Sequence, residues 1–230
     1  MVMCSQVFAQ NARPTGVYWD GTIIDSVPLP LHGCGYKHLN EQYMEWHGLT
    51  QDWVKIWGTD PLISMIQNAA ADIRRRYPGC DRLQVEDLSA ENGGDVDGHK
   101  SHENGLDVDL GFYREDCIEH DPVATNEPYA PSMVVNGQTS SNFDLERNWE
   151  LMKALHRYGD VARIFIDQTL KNSLCEYAKA RGEYNDNREV LRSLRHVTNH
   201  ADHIHVRLNC PENATNCTNQ GALTGGTGCP

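Results

Sequence analysis

Two short segments, residues 98–110 and 200–208, combine histidine and aspartate with alternating apolar residues. In the first, aspartate alternates with leucine and valine over residues 106–110, which is typical of a strand that carries both aspartates on one face. In the second, His203 and His205 lie two positions apart between apolar residues, so both side chains share one face of a strand. The segments therefore predict two strands, each with its polar side chains gathered on one face.

A metal site is the chemistry that these side chains favour, because imidazole nitrogens and carboxylate oxygens are ligands that Zn2+ prefers. Neighbouring strands would bring His102, Asp109 and His205 to one ion. His102 and Asp109 are too far apart in sequence for one helical turn, and Gly105 interrupts any helical pattern between them. Short histidine-rich segments also occur on surfaces by chance, so the prediction of zinc depends on the two segments together.

A family resemblance runs through the same residues. The spacing His102-x6-Asp109, followed much later by His203-x-His205, resembles the zinc motif of the LAS metallopeptidases, a group that includes D-Ala-D-Ala peptidases and the zinc domain of hedgehog proteins. The chain resembles the penicillin-insensitive murein endopeptidases more closely, over roughly residues 15–229. The segments that carry this closer resemblance are Gly98-His99, Ser101-His102, residues 105–109, residues 163–166, Leu174-Cys175, residues 203–208 and Cys210-Pro211.

The resemblance implies a fold and a set of ligands. The expected fold is α+β, with a small central antiparallel sheet that carries the zinc site, flanked by helices and long disulfide-tied loops as in the LAS and hedgehog proteins. His102, Asp109 and His205 are the expected Zn2+ ligands, and the fourth position of the ion is left for water. His203 then lies beside the ion, where it takes a proton from water and passes it to the leaving amine. Asp202 is an alternative base.

Four further residues are expected around this centre. His99 and His200 are expected at its rim, where they orient substrate or stabilise the tetrahedral oxyanion, although surface histidines near a metal are also common. Asp107 is expected to orient a ligand histidine. Arg207 either meets a carboxylate of the substrate or pairs with a local acid.

The resemblance points to a murein endopeptidase that hydrolyses the D-alanyl–meso-diaminopimelyl peptide cross-links of peptidoglycan. A D,D- or L,D-carboxypeptidase of the same group is an alternative, because endo- and exo-cleavage differ in how open the groove is. A zinc-containing binding module without hydrolytic activity is a second alternative, which the resemblance to the hedgehog domain allows. The presence of all three ligands together with His203 disfavours that binding module.

Composition narrows the class of protein further. With 230 residues, 39% hydrophobic and 23% charged, the chain is long enough for a full core and has the balance of a globular protein. A formal net charge of −12 argues against a nucleic-acid partner, which normally needs a basic face. No apolar run approaches the roughly 18–20 residues that cross a bilayer, so no transmembrane segment is predicted.

Eight widely spread cysteines without Cys-x2-Cys pairs favour disulfides over a zinc ribbon, and with them a periplasmic or secreted location. The alternative is a cytosolic protein with free thiols. The resemblance implies the pairs Cys210–Cys217 and Cys175–Cys229. Residues 1–14 are interpreted as an N-terminal segment that resembles the remnant of an export signal, and residues 15–230 as one zinc metallopeptidase domain with a disulfide-tied C-terminal tail.

Local patterns predict most of the regular elements. Asp60 is expected to cap a helix that ends at Tyr77, and a strand is expected over residues 83–88. The aromatic-rich residues 41–58 are interpreted as core packing or a surface flap. The remaining predictions are a turn at Asn136-Gly137, a helix from Asp144 to about 158, a strand over 161–166, a helix capped by Asp167 to about 181, and a helix over about 187–194.

Overall fold

The computed structural model describes residues 11–39, 55–96, 98–127 and 130–230. Residues 1–10, and all of the aromatic-rich stretch before Lys55, lie outside these ranges. The strands are β1 Arg13–Val17, β2 Asp20–Ile24, β3 Val27–Pro28, β4 His32–Gly33, β5 Tyr36–His38, β6 Trp57–Gly58, β7 Leu83–Val85, β8 Asp107–Gly111, β9 Val134–Val135, β10 Gln138–Thr139, β11 Val161–Ile166, β12 Leu194–His196 and β13 His203–Leu208. The helices within the described ranges are α1 Asp60–Arg76, α2 Pro122–Thr125, α3 Leu145–Tyr158, α4 Gln168–Ala180 and α5 Arg188–Ser193.

A seven-stranded sheet with the order β12-β11-β13-β8-β7-β5-β4 forms the centre of the fold. The four neighbouring strands β11, β13, β8 and β7 are antiparallel, as predicted. The pairs β11–β12 and β5–β7 are parallel, so the expected antiparallel arrangement holds for the central strands and the sheet as a whole is mixed. Each parallel pair is connected through helices, α4 and α5 in one case and α1 in the other, and such a crossover returns the chain in the same direction. The α+β class itself is confirmed.

One face of this sheet packs on the helices, and the other carries polar side chains. Val108 and Leu110 of β8 and Ile204 and Val206 of β13 are fully buried in the core. Helices α1 and α3 pack against each other over this apolar face, with Trp149 among the largest fully buried side chains. Because apolar and polar residues alternate along both strands, the polar residues of β8 and β13 lie together on the opposite face of the sheet.

Three of the five helices in the described ranges begin at an aspartate whose side chain caps the helix. The N-cap residues of α1 and α5 make no such bond. Asp144 and Asp167 accept hydrogen bonds from the backbone N–H groups of Arg147 at 2.8 Å and Thr169 at 2.7 Å, which confirms both predicted caps. Helix α1 is instead capped at Thr59, without a side-chain cap bond, so the prediction that Asp60 caps it is wrong. The Asp60 carboxylate lies in the first turn and accepts the N–H of Ala12 at 2.9 Å, which ties the backbone at Ala12 to the start of the helix.

Several other boundaries differ slightly from the predictions. Strand β7 ends at Val85, but Glu86 N–H donates to Asp109 O at 2.9 Å and Asp109 N–H donates to Asp87 O at 3.0 Å, so the following residues stay against β8. The strand over 161–166 and the turn at Asn136-Gly137 are confirmed. Neither α2 nor β12 was predicted from the sequence.

Three disulfides join described residues: Cys80–Cys117, Cys175–Cys229 and Cys210–Cys217. The last two are the pairs that the family resemblance implies. Cys210 follows β13 closely, so its bridge lies at the end of the strand that carries His203 and His205. Among the described helices, none combines the length and the apolar character needed to cross a membrane.

Candidate active site

The register of β8 and β13 places their polar side chains side by side. His205 lies opposite Asp109, Arg207 opposite Asp107, and His203 opposite Gly111. Because facing residues of antiparallel strands have their side chains close together, the two segments that the sequence singled out form one polar cluster. The prediction that they are strands of one sheet is confirmed.

His102 reaches the cluster from the loop before β8. Its backbone has φ 73°, in the left-handed region that few side chains adopt, and its side chain is fully buried. Nearby Gly105 also has a positive φ, and a Cβ there would lie 2.5 Å from the side chain of Ile23, so only glycine fits. His102 Nδ1 lies 2.9 Å from the carbonyl oxygen of Leu88, which directs Nε2 into the cluster.

Three potential ligands meet at nearly equal distances. His102 Nε2 lies 3.3 Å from His205 Nδ1 and 3.3 Å from Asp109 Oδ2, and His205 Nδ1 lies 3.2 Å from Asp109 Oδ1. A tetrahedral zinc ion with ligand distances of about 2.1 Å would hold its ligand atoms about 3.4 Å apart. The spacing of this trio therefore fits such an ion.

The outer nitrogens of the two imidazoles are already engaged. His102 Nδ1–H donates to Leu88 O, and His205 Nε2–H donates to Asp107 Oδ1 at 2.6 Å. In the neutral imidazoles, two lone pairs then face each other across 3.3 Å, and Asp109 Oδ1 is buried without a hydrogen-bond partner among the described residues. Lone pairs and a carboxylate at this separation repel unless a cation lies between them, so the residues fit a metal ion.

Asp107 and Arg207 lie behind His205. Asp107 is fully buried, and its Oδ1 accepts from both His205 Nε2 and Arg207 Nε at 2.6 Å. The guanidinium carbon of Arg207 lies 3.5 Å from the centroid of the Tyr18 ring. Of the two roles open to Arg207, the structure thus shows the pairing with a local acid.

The other histidines border the cluster. His203 Nε2 lies 3.9 Å from Asp109 Oδ1, while its Nδ1 lies 2.7 Å from Asp202 Oδ1. His99 Nε2 lies 3.3 Å from Asp109 Oδ2, the carboxylate oxygen that also faces His102. The His200 ring lies 5.0 Å from the His203 ring, and its Nδ1 is 2.9 Å from Thr198 O. All of the histidines singled out in the sequence are therefore brought together.

A second trio shares two of these residues. His99, His102 and Asp109 each offer a ligand atom within 4.8 Å of the others. His99 is less buried than His205, and its Nε2 also lies 3.6 Å from the carboxylate of Asp87. The geometry alone therefore admits either histidine as the third ligand.

The charges of the cluster are set by burial and by close neighbours. Burial alone would raise the pKa of Asp109, but His102 and His205 outweigh it and hold that pKa well below its usual range. Asp107 shows the same balance, in which Arg207 and His205 lower its pKa to about 2. For His203, burial lowers the pKa, and the Asp202 hydrogen bond with the Asp109 charge raises it to about 9. Both aspartates are thus ionised at neutral pH.

Two groups at the site were not anticipated from the sequence. The Leu88 carbonyl has no sequence signal, because any residue could supply it. Glu86 follows β7 on the polar face, is almost fully buried, and its Oε1 has no hydrogen-bond partner among the described residues. Burial raises the pKa of Glu86 to about 8. The alternation of residues 83–86 places Glu86 on that face, and this signal could have identified it.

An α+β sheet with two imidazoles and a buried carboxylate converging on one point is the arrangement of a candidate metallohydrolase. Comparison with known families gives a match to penicillin-insensitive murein endopeptidase over residues 14–230. The chain belongs to this family, a family of peptidases, and the resemblance inferred from the motifs is confirmed.

Individual relatives agree with this assignment. The chain is 28% identical over 225 residues to a penicillin-insensitive murein endopeptidase of Haemophilus influenzae, which covers 95% of this chain and 71% of the relative. It is 29% identical over 230 residues to the protein of that name from Pectobacterium atrosepticum, covering 96% and 73%. The corresponding protein of Klebsiella pneumoniae strain 342 is 26% identical over 231 residues, covering 98% and 76%.

Proposed function

We propose that this protein is a zinc-dependent peptidoglycan endopeptidase that hydrolyses D-alanyl–meso-diaminopimelyl cross-links. The observation that carries the proposal is the trio His102, Asp109 and His205, whose ligand atoms lie 3.2 and 3.3 Å apart. Membership of the murein endopeptidase family supplies the substrate class. We take residues 15–230 as the catalytic domain and its sheet as a relative of the LAS and hedgehog sheets.

The assignment of His205 rather than His99 as the third ligand follows from orientation. Asp107 holds the Nε2 proton of His205, which leaves Nδ1 free to bind a metal. His99 lies between the carboxylates of Asp87 and Asp109, within 3.6 Å of both, which suits a partly exposed group at the rim. We therefore assign His102, Asp109 and His205 as ligands, and His99 to the rim.

When bound, zinc supplies Lewis acidity that lowers the pKa of water to about 7 and polarises a carbonyl. The residues of the chain supply proton transfer and orientation. The positive charge of an ion bound beside His203 would oppose the rise in its pKa and favour the neutral ring. Nε2 of that ring faces Asp109 Oδ1 and is placed to take a proton from water and return it to the leaving amine. His200 and His99 lie on either side, where they orient the peptide or stabilise the oxyanion of the transition state.

The substrate lies in the cell wall, so the enzyme has to act outside the cytoplasm. The disulfides support this location, since such bonds persist in oxidising compartments. We propose a periplasmic or secreted enzyme whose partner is the peptide cross-link. The charge of −12 continues to argue against nucleic acid.

Digestion of defined muropeptides tests the proposal. Purified protein loaded with one equivalent of zinc is incubated with cross-linked dimers, and the products are separated by chromatography and identified by mass. Conversion of dimers to monomers is expected, with loss of conversion after chelation and in the Asp109→Ala variant. Release of a single terminal D-alanine from monomers would assign a carboxypeptidase instead. Intact substrate despite full zinc loading would favour the binding module.

A further inference from the structure

The residue that precedes His203 in the sequence also holds its ring. His203 Nδ1 lies 2.7 Å from Asp202 Oδ1, and the His203 side chain is 16% exposed, that of Asp202 32%. Since a carboxylate only accepts, Nδ1 carries the proton of this hydrogen bond. The proton-accepting nitrogen of the neutral ring is therefore Nε2, the atom that faces Asp109.

The backbone around Asp202 is itself fixed. The carbonyl of His200 accepts the N–H of Asp167 at 2.8 Å, and the carbonyl of Ala201 accepts the N–H of Met133 at 2.6 Å. The backbone that carries Asp202 is thus held by hydrogen bonds to two other parts of the chain, and it does not depend on a substrate or a metal for its place.

A second acid lies near the same imidazole. Asp109 Oδ1 lies 3.9 Å from His203 Nε2. Of the two acids, only Asp202 bonds to Nδ1. Without it, the ring is free to rotate and to carry its proton on either nitrogen, which would remove the lone pair of Nε2 from the metal side.

We propose that Asp202 is a positioning residue, which fixes the proton of His203 on Nδ1 and aims Nε2 at the metal centre. This inference rests on the proposed role of His203 in peptide hydrolysis. Asp202 does not bind metal in this scheme, so zinc stoichiometry and substrate binding should not depend on it, whereas turnover should.

The first test is spectroscopic and does not require activity. Proton NMR of the zinc-free and the zinc-loaded protein is expected to show hydrogen-bonded imidazole N–H resonances downfield of the amides. One belongs to His203 and disappears in His203→Ala. That resonance should also disappear in Asp202→Ala, while the resonance of His205 Nε2–H on Asp107 stays as an internal control.

The second test is kinetic and uses the zinc-loaded enzyme. Asp202→Ala is expected to lower kcat by about 10–10²-fold, less than the roughly 10²–10⁴-fold of a positioned base, with KM and zinc content unchanged. In the His203→Ala background the same change should have no further effect. Asp116→Ala is a matched control, because Asp116 is 33% exposed and, among the described residues, hydrogen-bonds only to its own loop and to Asn142.

Asp202→Asn tests whether the carboxylate itself is needed, or whether a side chain of this size only supports the loop. Its NH2 can donate to Nδ1 and so place the ring proton on Nε2, which is the wrong tautomer for a base, so the His203 resonance and the turnover should fall as in Asp202→Ala. A wild-type kcat in either variant, or a retained His203 resonance in Asp202→Ala, would overturn the inference. If the wild type leaves murein uncut, the proposed function fails, and the resonance still decides whether Asp202 fixes the ring.

Discussion

Oδ1 of Asp107 lies 2.6 Å from Nε2 of His205. The two residues come from neighbouring strands and are both buried, so the bond sets the tautomer of the imidazole before any ion arrives. A ligand that is oriented in advance loses less conformational freedom on metal binding. The strength of zinc binding should therefore depend on a residue that does not touch the ion.

Asp107→Asn is expected to weaken zinc binding by about 10–100-fold, the usual effect of removing the partner of a ligand histidine. Competition with a chromophoric chelator measures the dissociation constant directly. Asp116→Ala, which removes a carboxylate bonded to Ile118 and Asn142, serves as the control and should bind zinc as the wild type does. An unchanged constant in Asp107→Asn would show that Asp107 does not orient His205.

His203→Ala and His205→Ala should separate proton transfer from metal binding. His203→Ala is expected to keep near-stoichiometric zinc and to lose roughly 10²–10⁴-fold in turnover. His205→Ala should lose both, because it removes one of three ligands. Metal analysis and muropeptide cleavage are carried out on the same preparations. A metal-free His203→Ala beside a loaded His205→Ala would reverse the two assignments.

His99→Ala decides between the two ligand trios. If His102, Asp109 and His205 hold the ion, this variant keeps one zinc per chain and cleaves muropeptides more slowly. If His99 is instead the third ligand, the variant loses zinc while His205→Ala retains it. Zinc content after dialysis against a weak chelator is the measurement that distinguishes them.

The bridge between Cys210 and Cys217 should contribute to stability. The double Ser variant is expected to unfold at lower denaturant, with a loss of about 2–3 kcal/mol from the entropy of a short closed loop. Urea titration of the zinc-free protein measures this loss. Mass mapping of unreduced peptides checks that the bridge is present in the wild type, and finding both thiols free would contradict the prediction.

Two histidines away from the cluster should make the fold sensitive to acid. Burial lowers the pKa values of His38 and His156 to about 4, below the usual 6.5. Between these values the unfolded chain binds protons that the folded chain does not, so stability is lost as the pH falls from about 6.5 to about 4. Urea unfolding of the zinc-free protein at several pH values should show this loss of stability. The slope of the free energy of unfolding against pH should be smaller in His156→Gln. Equal slopes would contradict the prediction.

The parts of the site that follow a local pattern could be predicted from the sequence. Alternation over residues 106–110 and 203–208 places Asp107, Asp109, His203 and His205 on one face, because strand periodicity is a property of neighbours along the chain. The caps at Asp144 and Asp167 are local in the same sense. These features needed no knowledge of distant contacts.

The remaining features depend on contacts between distant residues. Asp60 is a residue type that often caps helices, yet its carboxylate accepts the N–H of Ala12 instead. No local sequence pattern predicts this contact. His102 lies on a loop and has a positive φ. Its hydrogen-bond partner is a backbone carbonyl, which any residue type could supply, so the sequence does not identify it. The two parallel strand pairs depend on where the helical connections return, so the resemblance alone did not reveal them.

The trio also joins parts of the chain that are far apart in sequence, since 103 positions separate His102 from His205. An ion bound to both would act as a reversible cross-link across that distance, comparable to a disulfide that forms and opens with metal supply. At a free zinc concentration 1,000 times the dissociation constant, such binding would add about 4 kcal/mol to the free energy of unfolding. Zinc starvation would then remove activity and resistance to proteolysis together, so a supply of metal would set the lifetime of the enzyme as well as its rate.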